Sequence, residues 1–422
     1  MYSLLLRQAT IFDKNSPFHL QKKDIFIKDG KILQIADSLS VAENTRIVES
    51  SNLSVSIGFV DLRCWVPDLG SEYKETLSTA RKAAERGGFT HTCLLPNMSP
   101  ALDSKDSLQY ILQKNEANLV QTLPIGAVTL KNKGEDLAEM IDLHHAGAVA
   151  FSDGLQAIHN ADILLKTLLY LQPLNALLIQ RPEDTLLTRF GQMNEGITAT
   201  YLGLKGMPAL AEILVIQRDL EILRYTGGKI HFSCISCEKS VELIRKAKQE
   251  GMQVTCDVSA LNLYFTEENL QDFDTNFKLN PPLRTSKDKE ALWKGIADDT
   301  IDAIVSDHQP QDTESKMLEF DLAQFGAINL QTAFLATHTA NKQIALEKIV
   351  EKFAQKPREI LGLPMPIIQE NHYADLCIFD SQQEQIFTTE QIVSLSQNSP
   401  FIGEKLKGKI LAICRNQFYE VF

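Results

Sequence analysis

Ile57-Gly58-Phe59-Val60-Asp61, then Tyr73–Arg86 and Gly87-Gly88, then Thr90–Leu95: an apolar run, a polar loop, an amphipathic stretch and a second apolar run follow one another here, and the repetition of this unit decides the fold. Apolar residues at three- and four-residue spacing predict a helix over 73–86. The glycine pair behind it reads as a C-terminal stop, as does Gly227-Gly228 further on. The same unit recurs downstream. Strands are expected at Ile57–Asp61, Thr90–Leu95, Gln121–Ala127, Ala148–Phe151, Ala176–Gln180, Lys229–Ser233, Gln253–Asp257 and Ala303–Ser306. Helices are expected at Ala161–Leu171, Ala209–Tyr225 and Lys239–Glu250, among others. Eight strands alternating with helices predict an α/β fold, a (β/α)8 TIM barrel over residues 56–365.

Outward from the barrel, both ends of the chain read as β structure. Leu4, Leu6, Ala9 and Ile11 suggest one strand, and Asp24–Ile35 is a hairpin about an Asp29-Gly30 turn. Ala374–Phe379 and Gly408–Ile413 are short strand-like runs near the other end. Residues 1–55 and 366–422 are therefore expected to form one small β-sandwich domain with the barrel inserted between its halves. The 422 residues suffice for this arrangement. With 44% hydrophobic and 23% charged residues, the composition excludes a disordered or disulfide-scaffold chain.

Forty-two Lys and Arg against 54 Asp and Glu leave a net charge of −12, which argues against nonspecific nucleic-acid binding. Seven irregularly placed cysteines do not make a disulfide framework and suit a reducing cytoplasm. The start, Met1–Arg7, has no basic leader region, and no 18-residue apolar run follows. Neither a signal peptide nor a membrane span is expected.

A barrel of this kind places its functional groups at the C-terminal ends of its strands. The residues that follow the apolar runs are Asp61, Arg63 and Trp65; Asn97; Asp153; Arg181, Glu183 and Asp184; Cys234; Asp257; and Asp307 and His308. Solvated loops are polar too, but carboxylates, amides and arginines converging on one mouth favour a pocket. Cys234-Ile235-Ser236-Cys237 is a lone Cys-x-x-Cys, short of the four ligands a structural zinc site wants.

Gly58-Phe59-Val60-Asp61, Glu72–Thr76, Gly87–Thr90, Pro96-Asn97, Met193–Gly196, Lys278–Arg284, Ser306-Asp307-His308 and Ser399-Pro400-Phe401 follow one another in an order and spacing that resemble dihydroorotase of the amidohydrolase superfamily. The resemblance implies a metal-dependent barrel with a small β domain from both termini, interconverting dihydroorotate and N-carbamoyl-aspartate. It implies two bridged divalent metals, usually zinc, held largely by histidines, that turn water into hydroxide.

The chain departs from that pattern at its centre. Arg63 and Trp65 stand at the family's His-x-His, and Pro67 at its carboxylate-gripping arginine. Arg181 and Cys234 replace further ligand histidines, Ala260-Leu261-Asn262 stands for Pro-His-His, and Gln311 for the last histidine. Asp307 survives at the family's metal-ligand and proton-transfer position. Asn97 and Asn280 survive at substrate positions, and Asp153 near the bridging carboxylate, in a motif shortened to Asp153-Gly154. None of the nine histidines forms a His-x-His or His-x-x-x-His pair. Apart from His308, each reads as a surface or satisfied core histidine, His231 included.

Asp153 and Asp307 are thus expected to face one another without metal, neutralised by Arg63, Arg181 or both, because unpaired buried carboxylates are costly. The resemblance then implies a dihydroorotase-like protein of pyrimidine biosynthesis without dihydroorotase activity. Asp307 would be vestigial, no cofactor is expected, and the chain would be a homodimeric structural partner of aspartate carbamoyltransferase. Two alternatives stay open: an active hydrolase whose altered zinc site uses Asp153, Cys234, Asp307 and His308, and a protein binding a small ligand through Asn97, Asn280 and Arg63.

Overall fold

The computed structural model describes residues 3–115 and 118–422; Met1 and Tyr2, part of the N-terminal stretch read for a leader, lie outside the described residues. The first three barrel strands, Phe59–Cys64, Phe89–Leu94 and Gln121–Pro124, pair in parallel. So do the last four, Leu178–Gln180, Ile230–Phe232, Val254–Ser259 and Ala303–Val305. Between them the expected fourth strand contracts to single-residue bridges, Phe151 pairing with Gly126 on one side and Leu178 on the other. Its backbone still joins both neighbours: Val149 N donates to Pro124 O at 3.1 Å, and Ile179 N donates to Phe151 O at 2.7 Å. A parallel bridge from Cys64 to His308 closes the ring.

Val60, Leu62, Cys93, Leu95, Ile125, Ala150, Leu177, Ile179, Cys234, Ala303 and Val305 form a small buried cluster separate from the main core. Residues drawn from strands all around a ring touch one another only inside it, so this cluster is the barrel's filling. The larger core runs from beneath the helices into the β domain.

The helix Ala161–Leu171 stands where the periodicity puts it, and Leu210–Thr226 and Glu238–Gln249 each lie within one residue of expectation. The first helix starts at Leu77 instead of Tyr73. Thr76 caps it by accepting from Thr79 N, and Asp68 Oδ2 accepts from Leu77 N at 2.8 Å. Glu75 turns away to other partners, so residues 73–75 stay out of the helix. Gly87 and Gly227 end their helices as expected.

Both termini build the β-sandwich domain, whose strands run as one hydrogen-bonded sheet. In order they are Phe418–Val421, Lys405–Arg415, Asp375–Ile386, Leu53–Ile57, Ser3–Phe12, Lys22–Lys28 and Lys31–Ala36, with Arg46–Val48 also on Ser3–Phe12. The apolar phase of the first strand changes between Leu6 and Ala9 because the strand bulges there. Gln8 takes φ 51° and its N–H donates to Asp24 Oδ1 at 2.9 Å. In the hairpin turn Asp29 and Gly30 both have positive φ, 48° and 81°, as a tight two-residue turn demands. A Cβ on Gly30 would stand 2.4 Å from the Asn416 carbonyl. Among the described residues no helix is long and apolar enough to cross a membrane.

Candidate functional site

The barrel mouth is organised by two buried arginines. Arg63, at the end of the first strand and only 1% exposed, donates from Nε to Asp307 Oδ1 at 2.7 Å, and Asp307 is 5% exposed. Its Nη1 reaches Gly154 O at 3.4 Å, while Nη2 has no hydrogen-bond partner among the described residues. Burial works against the Arg63 charge, but the Asp307 carboxylate beside it raises its affinity for the proton. Gln309 Nε2 donates to the same Asp307 oxygen at 2.8 Å. Sequence reasoning missed Gln309; its position two residues past Asp307 was the available signal.

Arg181 does not join this pair, so of the two arginines, one or both expected to neutralise Asp153 or Asp307, it is Arg63 that does so. Its Nη2 lies 2.9 Å from Glu183 Oε2, its own near neighbour in sequence. Nη1 donates to Leu155 O at 2.6 Å, and Nη2 also reaches Asn280 O at 3.4 Å. Arg181 therefore ties together the loops after the fourth, fifth and seventh strands. Burial pushes the Glu183 carboxyl up, but Arg181, with hydrogen bonds from Thr188 and Asn280, holds it below its ordinary value. Asn280 Nδ2 lies 3.2 Å from each Glu183 oxygen.

The Asp153 carboxylate is likewise taken up by partners other than Arg63 and Arg181. Its Oδ1 accepts from Val128 N at 3.0 Å and Thr129 N at 2.9 Å, and Oδ2 accepts from Thr129 Oγ1 at 2.6 Å. Burial raises its proton affinity and these bonds only partly offset that. Asn97 holds the same loop, donating to Asp153 O at 3.0 Å and accepting from Leu155 N at 2.7 Å. Gly154, at φ 65°, permits this approach, since a Cβ there would stand 1.9 Å from Asn97 Oδ1. Trp65 Nε1 donates to Asn97 O at 2.7 Å. The amides of Asn97 and Asn280 thus have protein partners.

Deeper in the barrel, Asp61 accepts from Ser306 N and Ser306 Oγ, each at 2.7 Å, and burial pushes its carboxyl up to about 7. Asp257 takes His231 Nε2 at 2.9 Å, Ser233 Oγ at 3.1 Å and Cys234 N at 2.6 Å. His231 is therefore a satisfied core residue. Burial raises the Cys234 thiol well above its usual range, so it stays protonated. His308 Nδ1 accepts from Asn329 N at 3.1 Å and Leu330 N at 3.3 Å, which leaves its proton on Nε2, 3.5 Å from Glu75 Oε2. Gln311, at the last expected histidine position, accepts from Lys74 Nζ at 2.6 Å.

These residues do not fit a zinc ion. Arg63, Trp65 and Arg181 offer no lone pair, Cys234 is a buried thiol, Asp153 is satisfied by other donors, and Asp307 already takes Arg63 and Gln309 on Oδ1. Among the described residues no three His, Cys, Asp or Glu side chains are grouped to hold a metal. A cavity of about 20 Å³ beside Arg181, Glu183, Cys234 and Asn280 has room for about one water.

A family model described as Dihydro-orotase-like matches residues 54–240. A dihydroorotase from Geotalea daltonii is 38% identical over 388 residues, 91% of each chain. One from Caldicellulosiruptor saccharolyticus is 37% identical over 98% of this chain and 97% of its own. Among solved structures, the L-hydantoinase (dihydropyrimidinase) of Arthrobacter aurescens superposes with a TM-score of 0.85 at 22% identity, covering 100% of this chain and 98% of that one. That likeness supports the barrel and β-sandwich architecture. With relatives of this identity spanning nearly its whole length, the chain belongs to the dihydroorotase family.

Proposed function

We propose that this protein belongs to pyrimidine biosynthesis as a member of its family that does not catalyse the metal-hydroxide reaction, and that it serves as a cytoplasmic, homodimeric structural partner of aspartate carbamoyltransferase. The observation that carries the non-catalytic reading is the buried ion pair of Arg63 with Asp307, at the positions where the family resemblance puts a metal ligand and the proton-transfer carboxylate. A guanidinium stabilises negative charge, but it stays protonated at any working pH and cannot generate hydroxide. Pro67 offers no cation to a substrate carboxylate, and the Asn97 and Asn280 amides are engaged within the protein. The partnership rests on the family resemblance.

Metal analysis of the purified protein, paired with N-carbamoyl-aspartate cyclisation at high protein concentration, tests the catalytic part. Substoichiometric zinc and no turnover are expected; stoichiometric zinc with turnover overturns the reading. Size-exclusion chromatography with aspartate carbamoyltransferase from the same source tests the partnership, and a stable complex at micromolar concentration is expected. If the two proteins elute separately, the partnership is lost whatever the metal analysis gives.

A further inference from the structure

A cavity of about 740 Å³ lies away from the mouth, between one face of the helix Ser286–Ala297 and the turn that follows the helix Ala333–Ala340. That volume falls in the range of small-molecule sites, roughly 300–1,000 Å³. The helix presents Ser286, Lys289, Glu290, Trp293, Lys294 and Ala297 to it, at spacings of three and one that put all six on one stripe. In a barrel's outer helix, a stripe against a neighbouring element is ordinarily aliphatic. Here it carries an indole and two amines.

The opposite wall adds Lys342, on a turn stitched by Asn341, whose side chain donates to Ile344 O at 2.7 Å and accepts from Ile344 N at 2.9 Å. Lys294 and Lys342 make no ion pair among the described residues. Lys289 is half-buried and donates to Tyr264 O at 2.7 Å. Burial and the charge of Lys342 both lower its proton affinity, with only Glu268 acting the other way. The two ammonium groups therefore feel one another, and an anion between them relieves the repulsion. Trp293 is fixed in plane by donation from Nε1 to Leu263 O at 3.1 Å, so its ring is a preformed wall. Among the described residues only one carboxylate, Glu290, lines the cavity.

We propose that this cavity is a binding site for a nucleoside monophosphate or diphosphate, with the planar base against Trp293 and the phosphate among Lys289, Lys294 and Lys342. A lone inorganic phosphate leaves most of the volume and the aromatic wall unused; a neutral nucleoside leaves the amines unpaired.

The two tryptophans are Trp65 and Trp293, so intrinsic fluorescence reports the site once Trp293→Phe identifies the signal. The full-length protein is titrated with uridine monophosphate and adenosine monophosphate, and with uridine and inorganic phosphate as the two halves of the ligand, by fluorescence and by calorimetry. A saturable response to the monophosphates is expected, with none to uridine and an affinity at least tenfold weaker for inorganic phosphate. Trp293→Phe is expected to remove the fluorescence change, and Lys289→Ala with Lys342→Glu to weaken calorimetric binding at least tenfold in protein whose circular dichroism shows it folded. No saturable response in the millimolar range, equal responses to uridine and its monophosphate, or full affinity in the lysine variant each overturns the proposal. So does self-association that the lysine variant abolishes while no nucleotide binds, because the occupant is then a second copy of the chain.

Discussion

Arg63 and Asp307 meet with almost no water around them, and a pair of this kind is worth less for its attraction than for the damage done by removing one member. Arg63→Met leaves the Asp307 carboxylate buried with Gln309 as its remaining side-chain donor. The expected cost is about 3–5 kcal/mol of folding stability, read as a lower denaturant midpoint at unchanged slope. The double substitution Arg63→Met with Asp307→Leu is expected to recover most of that loss, since two apolar groups leave no charge unpaired. If the double variant is no more stable than the single one, the ion pair is not what the mouth is built around. That Arg63 and Arg181 stand where the family resemblance expects histidines was legible from the sequence, and so was a partner for Arg63. The partner of Arg181 was not. Position in a motif tells which loop a side chain leaves, but not that Glu183, two residues on, reaches its guanidinium first. Nor did it tell that two backbone N–H groups and the Thr129 hydroxyl claim Asp153.

At the scale of elements, the barrel strands were legible because apolar runs bounded by polar loops have few other readings. Even the fourth, reduced to bridges at Phe151, stands where its run of apolar residues lies. The loops were not legible, because their order comes from long-range clasps. Between Glu183 and Leu210 the short strand Met193–Asn194 pairs with Gly206–Met207. Arg284, from a loop far along the chain, fixes this excursion by donating to Asn194 Oδ1 at 2.8 Å and Met207 O at 2.7 Å. No local periodicity encodes such a contact. Arg181 is the equivalent clasp across the mouth, and Arg181→Gln is expected to release it. Amide hydrogen exchange should quicken in residues 153–158 and 278–284, with the strand Leu178–Gln180 still protected, at a cost of about 2 kcal/mol for hydrogen bonds to a charged group. Unchanged exchange in both loops would show that their order has another source.

For the whole molecule, the sequence told the sign and size of the net charge but not how burial sets two groups against each other. Asp61 lies inside the barrel, and His91 lies against Asp375 and Arg358 beside the β domain. Asp61 moves from an ordinary 3.8 up to about 7 because it is buried. Across that window the folded state keeps a proton that the unfolded chain releases, so its contribution makes stability fall as pH rises. Burial moves His91 from 6.5 down to about 4, against the pull of Asp375. Between those values the unfolded chain binds a proton that the folded state refuses, so this contribution makes stability rise with pH. Shifts of this size correspond to effects on the order of 3 kcal/mol each, opposite in sign over nearly the same range. In the unsubstituted protein they largely cancel, and each is exposed by removing the other. Asp61→Asn keeps an acceptor for Ser306 and loses the titration. Its stability relative to the unsubstituted protein is expected to improve steadily from pH 4 to 7, while that of His91→Gln declines over the same span. Taking variant-minus-parent differences from denaturant titrations at each pH removes the carboxylates common to both proteins, such as Glu183 and Glu75. Two flat difference curves would mean that neither buried group titrates as its surroundings dictate; two curves of opposite slope are the expected result.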